Sequence, residues 1–318
     1  MWRNRIIYID WMKVIGMYFI ILGHLFPVYD EYIYAFNVPL FFLISGLLFK
    51  KDNNKSFFKK LVKDLIIPLI LICIINGIFD FVILYIENNL TLDYIYMRFY
   101  ACMIGEGGGD YGGLRSCWFI YTLILIKLLS HYFPQKRTRF AIFIVCILLT
   151  LLVTRMGLYI RNAYANVIIS YPFFYIGTLL KPHVKRMEYK NLTLDVFSCI
   201  LGLIIIKISA DANGDVWMYL TSYGRHYILF WFGVMGGVIF VYSISKLLSR
   251  FFKPHFVITL STGMIVILGF HQIFLYFFNL SGITYLFVQA IFSLFVLMSF
   301  YPIIKFVSRF FPLLIGRK

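Results

Sequence analysis

The chain has 318 residues, of which 61% are hydrophobic and only 14% are charged, with a formal net charge of +16. Its mean hydropathy is +0.84, and a soluble domain carries far more charge than this. The basic residues recur in short clusters between apolar runs instead of gathering in one patch, which excludes a nucleic-acid groove and follows the positive-inside pattern of a multipass membrane protein.

Ten apolar runs approach the ~20 residues that a bilayer requires. They cover 11–29, 33–49, 65–86, 117–133, 140–158, 167–180, 192–209, 227–247, 257–278 and 283–306. No small-residue cleavage site follows the first run, so it reads as an uncleaved span. Alternate connections hold most of the Lys and Arg: Lys50 to Lys63, Lys136 to Arg139, Lys181 to Lys190, Lys246 to Lys253, and both termini. The other connections are acidic, with Asp30, Glu31, Glu87, Asp93, Glu106, Asp211 and Asp215. The expected fold is therefore an all-α, polytopic bundle of about ten transmembrane helices over 1–318, one membrane-embedded domain with both termini cytoplasmic.

The longest external connection, 88–116, ends in a glycine-rich run, Gly105 to Gly113. Each glycine there loses backbone entropy on ordering, so the run reads as a lid or a flexible loop. It lacks the Lys-Ser/Thr of a phosphate cradle. The five cysteines form no CxxC pair and have no histidine at metal spacing. Cys102 and Cys117 either bridge this connection or stay as free thiols, like the others.

One stripe on the first span carries the chemistry. Asp10, Lys13 and His24 lie on a helix, and eleven residues turn through ~1100°, about 20° past three full turns. Lys13 and His24 thus share a face, ~16 Å apart along the axis. Ionisable groups at such depth are costly and usually mark a reaction site or a pathway. Helix rise sorts the remaining polar residues into two layers. An inner one holds Asp10, Lys13 and Ser45; an outer one holds His24, Asn37, His271 and Arg115, with Trp118 at the outer mouth of the fourth span. Each residue also has a plainer reading: Asp10 as a helix cap, Lys13 as a snorkelling anchor, Ser45-Gly46 as close helix packing, Trp118 as an interfacial aromatic, and His271 as interhelical glue.

The pattern Asp10-x-x-Lys13, then Leu22-Gly23-His24, then Asn37-Val-Pro39-Leu-Phe-Phe-Leu-Ile-Ser-Gly46 resembles acyltransferase family 3 of membrane proteins. Lys13, where Arg is commoner, is similar to the branch named for fucose 4-O-acetylases. Asn37 departs from that branch, which often has His there. Cys117-Trp118-Phe119-Ile120, Phe173 to Gly177 and Leu268 to His271 resemble later segments of the family.

The resemblance implies transfer of an acyl group, most often acetyl from acetyl-CoA, to a hydroxyl of a cell-surface glycan or its lipid-linked precursor at the bacterial cytoplasmic membrane. It implies acyl-CoA as donor substrate, no bound cofactor and no metal. His24 and Asp10 are then the expected catalytic residues. Lys13, a point charge for phosphate, and Ser45 are expected at the donor. Asn37, Arg115, Trp118 and His271 are expected at the acceptor or the oxyanion. His24 serves as a general base or forms a transient acyl-histidine; burial favours the neutral imidazole that either role needs. The competing reading is a transporter of a glycan or an acylated small molecule, which need not bind acyl-CoA. Oligomeric state is open.

Overall fold

The computed structural model describes residues 5–107, 114–184, 191–252 and 254–316. Most of the glycine-rich run, at 108–113, lies outside them, as do Arg3, Lys185, Arg186, Lys190, Lys253, Arg317 and Lys318. The described residues form α-helices joined by short turns, and they contain no strand.

Every apolar run contains a helix. In chain order they are α1 (Ile7–Gly23), α2 (Glu31–Tyr34), α3 (Asn37–Leu47), α4 (Asn54–Leu61), α5 (Ile67–Ile86), α6 (Leu92–Ile104), α7 (Trp118–Tyr132), α8 (Lys136–Arg155), α9 (Asn166–Leu180), α10 (Leu192–Asn213), α11 (Tyr227–Phe251), α12 (Pro254–Thr262), α13 (Met264–Asn279) and α14 (Leu286–Phe310). Polar residues set several starts: Asn53 accepts from the Ser56 amide at 2.8 Å, Thr91 from Tyr94 at 3.1 Å and Asn191 from Leu194 at 3.1 Å. α6 stops at Gly105, whose φ of +75° suits a residue without Cβ.

Among the described residues, five helices are long and apolar enough to cross a bilayer: Asn54–Ile86, which joins α4 to α5 through a π-helical turn, then Lys136–Arg155, Leu192–Asn213, Tyr227–Phe251 and Leu286–Phe310. α12 and α13 make a sixth if counted as one span, bent by 78°. The bend falls at Gly263, where a Cβ would meet Ile304 of α14 at 2.3 Å. The long helices turn bare hydrocarbon outward: Ile70, Ile74 and Ile78 on α5, Leu148 and Leu152 on α8, Ile200, Ile204 and Ile208 on α10, and Leu294, Phe295 and Met298 on α14 are all exposed. A continuous apolar surface of this extent suits lipid, not water.

The central helix is α1, which packs against α3, α11, α12, α13 and α14. The two motifs Pro39–Gly46 and Phe173–Gly177 pack on each other. A Cβ on Gly46 would lie 2.0 Å from the Phe174 carbonyl oxygen, and one on Gly177 would lie 2.1 Å from that of Leu43. Small residues here let two backbones touch, so much of what these motifs encode is packing.

The connection 88–116 departs from the external loop expected of it. Phe81 faces Tyr94, Asp80 pairs with Arg98 at 2.6 Å, and the Cys73 and Cys102 thiols hydrogen bond. As residue numbers rise on α6 they fall on α5, so α6 runs back along α5 into the bundle. It delivers the turn Arg115–Cys117 to the end of α1.

Candidate active site

α1 ends at His24, whose backbone N–H still bonds to the Ile20 carbonyl at 3.1 Å. The imidazole meets two groups that the sequence did not single out. Its Nε2 lies 3.2 Å from Ser116 Oγ, and the Gln272 amide donates to the same oxygen at 2.7 Å. The serine oxygen thus sits between the Gln272 amide, from which it accepts, and Nε2 of His24.

His271 stacks on His24, with ring centroids 5.2 Å apart and planes at 30°. It is fully buried. Its Nδ1 lies 3.0 Å from the carbonyl oxygens of both Ile267 and Leu268. Carbonyls only accept, so Nδ1 carries the proton and Nε2 is the bare nitrogen. That Nε2 is buried and has no hydrogen-bond partner among the described residues. The bare nitrogen beside a second imidazole leaves His271 able to accept a proton or a hydrogen bond.

Two cavities meet in this region. The smaller, about 60 Å³, is lined by His24, Asn37, Ser116 and Trp118, with Trp217 and Tyr219 from the connection between α10 and α11. Asn37 is buried, and its Oδ1 accepts from the Val38 amide at 2.7 Å, so its NH2 group is the part left to donate. The larger cavity, about 390 Å³, opens toward the lysine-rich end of the bundle. Lys13, Ser45, Lys50, Lys60 and Lys127 stand on its wall with Asp52 and Asp64, an excess of two positive charges. Lys60 is paired to Asp52 at 2.7 Å. Lys13 and Lys127 have no ion-pair partner among the described residues.

Lys127 escaped the sequence reading, although a lysine inside the apolar run 117–133 was a signal. Its register repeats that of Lys13. Lys13 stands eleven residues before His24 on α1, and Lys127 stands eleven residues after Ser116, which leads into α7. The two helices run in opposite directions from one hydrogen-bonded pair, so both cations stand ~16 Å below it. Ser116 and Gln272 gave no comparable signal, because a serine in a connection and a glutamine beside a histidine are common.

The expected residues thus divide. His24, Asn37 and Trp118 share the smaller cavity, with His271 behind His24; Lys13 and Ser45 share the larger one. Asp10 and Arg115 line neither cavity. The Asp10 carboxylate is held by Arg5 at 2.6 and 2.8 Å and by the Ser261 hydroxyl at 2.5 Å. It ties α1 to α12 and is far from the histidines. Arg115 bonds to Asp80, which also holds Arg98. At a left-handed φ of +48°, Arg115 turns the chain so that its neighbour Ser116 reaches His24. Ile20, Phe119 and Leu268 line both cavities and stand between them. No disulfide joins Cys102 to Cys117.

The described residues, all helical where regular, with apolar spans, a half-buried histidine stacked on a buried one and a basic cavity near them, define a multipass membrane protein with polar groups inside its bundle. More specifically, the acyltransferase family 3 model, described as an acyltransferase domain, matches residues 6–314, and the chain belongs to that family. It is a membrane acyltransferase. No curated protein and no solved structure matches it.

Proposed function

We propose that this membrane acyltransferase moves an acetyl group from cytoplasmic acetyl-CoA to a hydroxyl of a surface glycan or its lipid-linked precursor, in a bacterial cytoplasmic membrane. In this reading the ten apolar runs are ten spans with both termini in the cytoplasm, and the lysine-rich end faces the donor. Lys13, in place of the commoner Arg, favours the branch similar to fucose 4-O-acetylases.

The feature that carries the proposal is the spacing along the helices between the two lysines and the His24–Ser116 pair. The arm of coenzyme A joins diphosphate to sulfur through twelve bonds, as many as four residues of backbone, and such a chain extends ~14 Å. Lys13 and Lys127 stand ~16 Å from the His24–Ser116 pair. Diphosphate held by these lysines brings the thioester close to the imidazole, and the amide-containing arm passes Ser45. The excess positive charge of the larger cavity attracts the anionic donor.

At the histidines, the hydroxyl of Ser116 occupies the place of an incoming alcohol, 3.2 Å from Nε2. A sugar hydroxyl there gives its proton to His24 as its oxygen attacks the thioester carbon; the C–S bond breaks and the thiolate leaves. Asn37 lines this cavity, and its NH2 group is a donor suited to stabilise the oxyanion. Trp217, Tyr219 and Trp118 give an aromatic wall for a sugar ring. His271 backs His24 and keeps a bare nitrogen for the proton. Asp10 and Arg115 act through position, by fixing α1 and the Ser116 turn.

The test is a mass spectrum of envelope glycans from cells with and without the protein. Loss of one acetyl mass per repeat in its absence supports the proposal, whereas identical glycans and unchanged acetyl-CoA consumption overturn it.

A further inference from the structure

The lysines of the larger cavity stand at two depths. Lys13 and Lys127 are half-buried within the bundle, whereas Lys50 and Lys60 are exposed at the lysine-rich end. The helix Asn54–Ile86 runs from that end into the bundle, and both Lys60 and Asp64 on it line the cavity. Four residues separate them, one turn or ~5.4 Å along the axis. Asp64 is within electrostatic reach of Lys60 and of Lys127, so Lys60 stands about one turn nearer the mouth than Lys127. At the mouth Lys60 is tied to Asp52 at 2.7 Å, in a pair open to solvent. Such exposed pairs are weak and easily exchanged. Lys50 has no ion-pair partner among the described residues.

We infer that Lys50 and Lys60 form a second phosphate seat, which takes the 3′-phosphate on the ribose of coenzyme A. The inference rests on the donor reading above. Six bonds join the phosphorus at the ribose 5′ position to that at the 3′ position, as many as two residues of backbone, and such a chain spans at most ~7 Å. The turn between Lys127 and Lys60 fits within that reach. Diphosphate at Lys13 and Lys127 therefore leaves the ribose phosphate beside Lys60 and Lys50. A phosphate monoester carries a charge of about −1.5 to −2 at neutral pH, more than the single charge of Asp52, so it draws Lys60 out of its pair. The seat selects a thioester borne on this nucleotide over one borne on the phosphopantetheine of a carrier protein, which has a single phosphodiester and no terminal phosphate.

The experiment is binding of coenzyme A and 3′-dephospho-coenzyme A to the full-length protein in lipid nanodiscs, at one ionic strength. The wild type is expected to bind coenzyme A about tenfold tighter, the scale of one charge-assisted hydrogen bond. Lys60→Ala should bring that ratio close to one. Asp52→Asn releases Lys60 and should raise the ratio by about threefold, the scale of one exposed ion pair; a misfolded protein cannot produce this gain. Lys13→Ala combined with Lys127→Ala should weaken both ligands alike. Equal affinity of the wild type for the two ligands, or a ratio unchanged by Lys60→Ala or by Asp52→Asn, overturns the second seat and leaves the donor reading standing. Failure of the wild type to bind either ligand overturns the donor reading itself.

Discussion

The two ends of α1 carry polar residues with opposite fates. At its start, Asp10 is 3% exposed, and Arg5 and Ser261 take up both carboxylate oxygens. At its end, His24 faces a cavity, its Nε2 touches a hydroxyl, and its neighbour His271 keeps a nitrogen with no partner. Both positions belong to the pattern that marks the family, yet only one has unspent capacity for a reaction. Saturated polar groups hold helices together, and groups left short of partners are those that can accept a proton or a substrate.

Substitutions at the two ends should separate these roles. The largest effect on acyl transfer is expected for His24→Ala. Removing a general base lowers turnover by ~10²–10⁴-fold, while detergent extraction and thermal unfolding stay near wild type; turnover within a few fold of wild type would remove His24 from the chemistry. Lys13→Ala combined with Lys127→Ala should raise the apparent KM for acetyl-CoA by about tenfold or more, with a smaller change in kcat. A donor dependence equal to wild type would make both lysines simple anchors. Ser116→Ala leaves His24 without its hydroxyl partner and should lower kcat/KM by about tenfold, the scale of one lost hydrogen bond. A loss as complete as that of His24→Ala would make Ser116 a participant in the reaction instead of a positioning residue. The smallest effect on turnover belongs to Asp10→Asn. It should weaken stability by about 1–3 kcal/mol, because a buried pair loses its charge, and should leave the KM for the donor unchanged. A raised donor KM at full stability would return Asp10 to the donor site.

Much of this arrangement was legible in the chain. Hydropathy located a helix in every apolar run, because in a lipid-facing protein the apolar run and the helix coincide. The eleven-residue spacing placed Lys13 below His24, since helix geometry fixes it. Other features depend on pairing between distant segments. Nothing in the sequence of 88–116 announces that α6 turns back along α5; Phe81 meeting Tyr94, Asp80 meeting Arg98 and Cys73 meeting Cys102 reveal it. That reversal carries Ser116 to His24, so a reading by depth put Arg115 in the site and missed its neighbour. Lys127 was legible in principle, as a charge within an apolar run. The division into two cavities was not, because it arises from three side chains on three helices.

The most direct test of the account is a structure of the full-length protein with a thioether analogue of acetyl-CoA. The expected result has diphosphate between Lys13 and Lys127, the arm passing Ser45, and sulfur at Ile20, Phe119 and Leu268 with the acyl carbon facing His24 Nε2. Coenzyme A bound on the Trp217 side, or an arm that leaves the sulfur in the larger cavity a full length short of His24, would contradict it.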